Sequence, residues 1–227
     1  MNRSRKQAIA ARQRRRTQWI SVAVVAALLL AGLVGLAIYQ SQRSGDVQPP
    51  AQATADGSGL ADGAGPVRVE IWLDLHCPHC RTFEEQASGA LDQLVADGQI
   101  TRIYHPVSFL DRFSTTGYST RAAAAVGCAA DGGAHVPYVQ ALLAAQPPAS
   151  GPGLDAEQMI DIGAAEGLTG AEFADCVRSV EYRGWVQQVT DAAAEAGVTG
   201  TPTVRVNGAT VEPSVPAITA AVQAAGS

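Results

Sequence analysis

A strand pattern runs straight into a helix pattern at Cys77-Pro78-His79-Cys80, and that junction restricts the fold of this chain more than any other feature. Pro66-Val-Arg-Val-Glu-Ile-Trp-Leu-Asp74 is rich in β-branched and aromatic residues, and its later part is apolar on both faces, as in an interior strand. Beyond the cysteines, Phe83, Ala87, Leu91 and Leu94 recur at helical spacing up to Gly98, a residue suited to ending a helix. Pro78 fits the first helical turn, where the N–H that proline lacks would have no partner anyway. Cys77 therefore stands at a helix start, where unpaired N–H groups and the helix dipole favour a thiolate. Cys80, one turn on, faces inward.

Three chemistries compete for this pair: a redox couple, half of a zinc site, or an inert crosslink. Structural zinc uses further ligands in close pairs, whereas the other two cysteines, Cys128 and Cys176, are each isolated in sequence. An inert bond across so short a loop would remove little entropy from the unfolded chain. The redox reading is the one the spacing favours, with no metal and no cofactor. A binding protein of another class is the alternative: two thiolates with a nearby imidazole are soft ligands suited to Cu(I).

Charge is distributed unevenly. Arg3, Arg5, Lys6, Arg12, Arg14, Arg15 and Arg16 precede every one of the 21 acidic residues, although the chain as a whole carries a net charge of -5. Between the two regions Ile20 to Tyr39 runs without a charge for about 20 residues, the length needed to cross a bilayer core of about 30 Å. Residues 1–19 read as a cytoplasmic basic segment and residues 20–39 as a transmembrane anchor, with Trp19 and Tyr39 at the interfaces and all that follows exported. A cleaved signal peptide is the competing reading, but the run is long and no small-residue cleavage site follows closely. Gly32 and Gly35 read as filler, since their spacing is not that of a dimerising pair. The basic cluster sets topology, so no nucleic-acid partner is expected.

Residues 40–65 are Gly, Pro, Ala, Gln and Ser without an apolar period, which predicts a flexible linker of about 25 residues spanning roughly 25 to 30 Å. The folded domain is then 66–227. Ile100 to Phe109 predicts a second strand, with Pro106 implying an edge or a bend. From about 115 to 183 the pattern is helical and Ala-rich, broken at Asp131-Gly-Gly, Gln146-Pro-Pro and Gly167, and it reads as a helical insertion. A helix over Trp185 to Ala196, a hairpin turning at Asn207-Gly208 and a terminal helix complete an α/β order.

The segment CPHCRTFEE, residues 77 to 85, resembles the active-site turn of the DsbA-like thiol-disulfide oxidoreductases, and the resemblance continues in IYHPVSFLD and in residues 182 to 208. It covers nearly all of 66–227 and implies a thioredoxin-like fold with an inserted helical domain. Membrane-tethered members with a second cysteine pair occur in actinobacteria, and a chain with arginine and almost no lysine suits such a genome. Carried over, Cys77 is the nucleophile, Cys80 the resolving thiol and His79 a group that helps stabilise the Cys77 thiolate; His76 reads as a solvated turn histidine. Thr201-Pro202 resembles the loop facing the active site, where the X-Pro bond is cis and the preceding backbone binds substrate; a trans loop proline is the alternative.

The resemblance also implies that Cys128 and Cys176 pair. A structural role is the reading here, because thiols held inside helices lack the helix-start setting that activates them. One departure concerns the position six before Cys77, where many relatives carry a buried acid, and which is Ile71 in this chain. Glu70 and Asp74 are the nearest carboxylates; for Asp74 a proton relay and a solvated strand-end residue both stay open. The expected activity is oxidation of thiols in reduced or unfolded exported proteins, with reoxidation by a quinone-linked membrane partner of the DsbB or vitamin K epoxide reductase type. An isomerase or reductase, for example in cytochrome c maturation, is the alternative direction.

Overall fold

The computed structural model describes residues 47–226. The basic segment 1–19 and the expected anchor 20–39 lie outside the described residues. Among the described residues no helix is long and apolar enough to cross a membrane.

The strands are β1 (Leu60–Asp62), β2 (Val67–Leu73), β3 (Ile100–Pro106), β4 (Thr203–Val206) and β5 (Ala209–Val211), and they form one sheet in the order β1-β3-β2-β4-β5. β2 is central, parallel to β3 and antiparallel to β4, so both of its edges are paired. Its burial follows its sequence: the first half alternates, and Ile71, Trp72 and Leu73 are buried in succession. Helix α1 (Pro78–Ala96) carries the chain from β2 to β3. Asn207 and Gly208, at φ 46° and 84°, make the tight turn between β4 and β5, a left-handed pair that Asn-Gly adopts readily.

After a short 3₁₀ turn (Asp111–Phe113), the insertion consists of α2 (Tyr118–Asp131), α3 (His135–Ala144), α4 (Ala156–Ala165) and α5 (Ala171–Ser179), followed by α6 (Arg183–Glu195) and, after the hairpin, α7 (Val215–Ala225). The breaks at Asp131-Gly-Gly, Gln146-Pro-Pro and Gly167 each fall between helices. Helix α2 is buried along most of its length because residues 122–130 are alanine, glycine and cysteine with a single valine, and it packs against α3, α4, α5 and α6. Small side chains let neighbours approach on every side. The disulfide Cys128–Cys176 ties α2 to α5 across 48 residues, worth about 4 kcal/mol in the chain-entropy picture.

Two expectations are corrected. The linker expected over 40–65 does not continue to the domain edge: Pro50 is buried, Ala53 bridges to Leu60, and β1 pairs with β3 with Leu60 fully buried. Main-chain atoms hold this strap. Gly57 O accepts from Trp185 Nε1 at 2.7 Å, Ser58 O lies 2.6 Å from His105 Nδ1, and Ala51 N–H donates to Asp131 Oδ1 at 2.8 Å. Gly59 sits where a Cβ would come within 2.8 Å of the Tyr104 carbonyl, so its lack of a side chain is what admits the strap. A segment fixed through its backbone needs no apolar period, which is why composition suggested a coil. For the same reason β3 is not an edge strand. β1 covers its outer side, and Pro106 is simply its last residue.

Candidate active site

β2 ends at Leu73 and the turn Asp74 to His76 delivers Cys77 to the N-cap of α1, with Pro78 at the first helical position. Cys77 N–H donates to Asp74 O at 2.9 Å, closing the turn, and Cys80 N–H donates to Cys77 O at 3.0 Å, opening the helix. Both cysteines are free thiols; Cys77 is 5% exposed and Cys80 1%. Pro78 and His79 are exposed beside them. Across the site the chain between α6 and β4 brings up Thr201 and Pro202, joined by a cis peptide, and Cys77 Sγ lies 3.3 Å from Thr201 O, to which the thiol can donate.

The two sulfurs are electrostatically unequal. A hydrogen bond from the Cys80 thiol lowers the Cys77 pKa to about 5; burial opposes it, and the Thr201 side chain and the backbone N–H groups of Cys80 and His79 assist. His79 thus acts through its main chain at the helix start. Burial pushes Cys80 well above the ordinary thiol range, and the neighbouring Cys77 adds to the rise. The pair is therefore divided into a thiolate and a proton-holding partner, the division that nucleophile and resolving thiol require.

The residues brought together from elsewhere were less visible in sequence. Asp74 is not a solvated strand-end residue: it is fully buried, and burial raises its pKa to about 6. Its Oδ1 accepts from the His76 N–H at 2.9 Å and the Ser119 hydroxyl at 2.7 Å, and its Oδ2 from the Leu110 N–H at 2.9 Å. One carboxylate thereby joins the active-site turn, the 3₁₀ turn and α2. His76 is likewise corrected. It is 1% exposed, its ring meets Tyr118 edge-on at 5.3 Å, and Nε2 lies 3.0 Å from Pro148 O. Gln146 Nε2 donates to Leu75 O at 2.9 Å and Cys77 O at 3.1 Å, so the Gln146-Pro-Pro break is a clamp on the active-site turn.

Glu84 was missed altogether. It is buried one helical turn after Cys80, it accepts from Tyr104 OH at 2.6 Å, and burial raises its pKa. Its spacing from Cys80 along the apolar face was the available signal.

Beside Cys77 opens a cavity of about 630 Å³, lined by Phe109, Leu110, Val198 and Thr201 together with Arg112 and Phe113. Cys128 and Cys176 are apart from it, in the insertion, as a formed disulfide. Among the described residues no cluster of three His, Cys, Asp or Glu side chains is placed to hold a metal ion.

A sheet with a dithiol at the start of the helix after its central strand, faced by a cis-proline loop, defines a thioredoxin-fold dithiol protein. The thioredoxin family model matches residues 60–224, and the chain belongs to that family. Among solved structures, reduced DsbA from Mycobacterium tuberculosis is 29% identical with a TM-score of 0.61, covering 74% of this chain and 99% of that one. The reduced disulfide bond oxidoreductase DsbG from the same species is 29% identical with a TM-score of 0.66, covering 80% and 90%. A curated relative, the serine/threonine-protein kinase PknE of M. tuberculosis, is 37% identical over 76 residues, which span 33% of this chain and 13% of the kinase.

Proposed function

We propose that this chain is an extracytoplasmic thiol-disulfide oxidoreductase that oxidises thiols of reduced exported proteins, tethered by residues 20–39. The observation that carries the reading is Cys77 itself, a thiol lowered to about 5 that faces the Thr201-Pro202 loop at the foot of an apolar cavity. The two mycobacterial neighbours, DsbA and the disulfide bond oxidoreductase DsbG, support the same reading.

In the oxidised protein a client thiolate attacks Cys77 Sγ, the Cys77–Cys80 bond breaks, and the Cys80 sulfur leaves and takes up a proton. Its raised pKa keeps that proton in place. A second client thiolate attacks the client sulfur of the mixed disulfide, and Cys77 leaves as the stabilised thiolate. Two client thiols become a disulfide while the Cys77–Cys80 disulfide becomes a dithiol, which a quinone-linked membrane partner would reoxidise. Pro78 starts the helix, Thr201 and Pro202 offer backbone to the client, and Cys128–Cys176 holds the insertion that supplies Gln146 and Ser119. Whatever stabilises the thiolate stabilises the reduced form and makes the disulfide a stronger oxidant, so the low Cys77 pKa supports the oxidase direction over the isomerase or reductase one.

The oxidised chain should introduce disulfides into a reduced, unfolded client, and Cys77→Ser should abolish this. A couple as reducing as thioredoxin, about -270 mV, would assign the protein to reductive chemistry instead.

A further inference from the structure

The cavity beside Cys77 has a distinctive rim. Phe113 is 51% exposed, the one large apolar side chain so placed among the described residues, and the Arg112 guanidinium lies 4.6 Å from its ring centroid. Among the described residues Arg112 forms no ion pair; it reaches only Phe109 O at 3.5 Å, too long to satisfy its donors. The adjacent carboxylate, Asp111, is turned away and accepts from the Thr120 N–H at 3.0 Å at the start of α2. No carboxylate lines the cavity, whose other basic groups are His76 and His79. In the oxidised protein Cys77 carries no charge, so the form that receives a client presents apolar walls under an unpaired guanidinium. A guanidinium stacked on an aromatic ring, with its N–H groups directed outward, fits a carboxylate.

We infer that Arg112 and Phe113 select client segments carrying an apolar side chain and a carboxylate beside the reacting cysteine. The inference rests on the proposed oxidoreductase activity and adds to it a substrate class. Phe113 and the walls beneath it take the apolar side chain, and Arg112 pairs with the acid.

Three dithiol peptides identical except for Glu, Gln or Lys next to a Leu beside the cysteine test this with the oxidised full chain. The Glu peptide should exceed the Lys peptide in kcat/KM by roughly fivefold, the scale of an exposed charge pair, and the gap should close at high ionic strength. Arg112→Glu should invert the order, and Arg112→Gln should flatten it, with rates referred to the Gln peptide in each variant. Equal rates for Glu and Lys peptides in the unaltered chain, or a Glu preference that survives Arg112→Gln, would overturn the inference. Dithiothreitol oxidised without discrimination among the peptides would sink the selectivity alone. Failure to oxidise either dithiothreitol or the peptides would remove the oxidoreductase reading, and the selectivity with it.

Discussion

At Cys77 the acidity of a single thiol is set mainly by its neighbour, since donation from the Cys80 thiol is the largest influence on it. Cys80→Ala should therefore move the pH midpoint of Cys77 alkylation upward from about 5, and Cys80→Ser, which keeps a donor, should move it less. An unchanged midpoint in Cys80→Ala would assign the shift to the helix start alone. The same thiol links stability to pH. A pKa lowered from 9.0 to about 5 gives stabilisation that is complete above pH 9 and lost as pH falls through about 5. Asp74 acts in the opposite sense. Raised from 3.8 to about 6, it stabilises below pH 3.8 and loses that effect as pH rises through about 6. Buried His135, lowered from 6.5 to about 4, adds a change only up to pH 6.5, so between about pH 6.5 and 9 the Cys77 effect stands alone and the margin by which the reduced form resists urea better than the oxidised form should widen with pH. A constant margin would contradict the low pKa. In Asp74→Asn an amide NH₂ must face one of three donors, which predicts a loss of about 1 to 3 kcal/mol in urea unfolding.

Among the elements, α2 depends most on the absence of side chains. A Cβ at Gly127 would come within 2.8 Å of the Tyr182 ring and 3.0 Å of Tyr182 Cβ, so Gly127→Ala forces α2 and the start of α6 apart. Overpacking of about 1 to 3 kcal/mol outweighs the gain in helix propensity of about 1 kcal/mol, and a melting temperature lower by several degrees is expected. The disulfide acts on the same helix. Cys128→Ser with Cys176→Ser should lower the melting temperature while the Cys77–Cys80 couple still turns over; loss of turnover at an unchanged melting temperature would make the second pair a redox couple. The strands, helices and breaks of the insertion were legible in sequence because periodicity and Gly-Pro punctuation are local signals. Cys77 and Cys80 were legible for the same reason, as a close pair at a strand-to-helix junction, whereas the Thr201-Pro202 loop was legible only through its resemblance to a family. Asp74, His76 and Gln146 were not, because their partners arrive from segments far along the chain, and a buried histidine has the same letter as a solvated one.

For the whole molecule, the strap before β2 alters what counts as the domain. A chain beginning at Pro66 would bare the outer edge of β3, remove Leu60 and leave Trp185 Nε1 without its acceptor. Such a chain should melt lower and aggregate on heating, as light scattering would record; unchanged behaviour would return the segment to the status of a linker. Composition could not show this, since the strap holds through its backbone. The strap also emerges first in synthesis, yet the Trp185 that holds Gly57 lies 128 residues later. At about 5 to 20 residues per second the wait is roughly six to twenty-five seconds. The first part of the domain to be made thus meets its β3 partner early, Tyr104 lying 44 residues after Leu60, yet goes without its Trp185 anchor until most of the chain has been made.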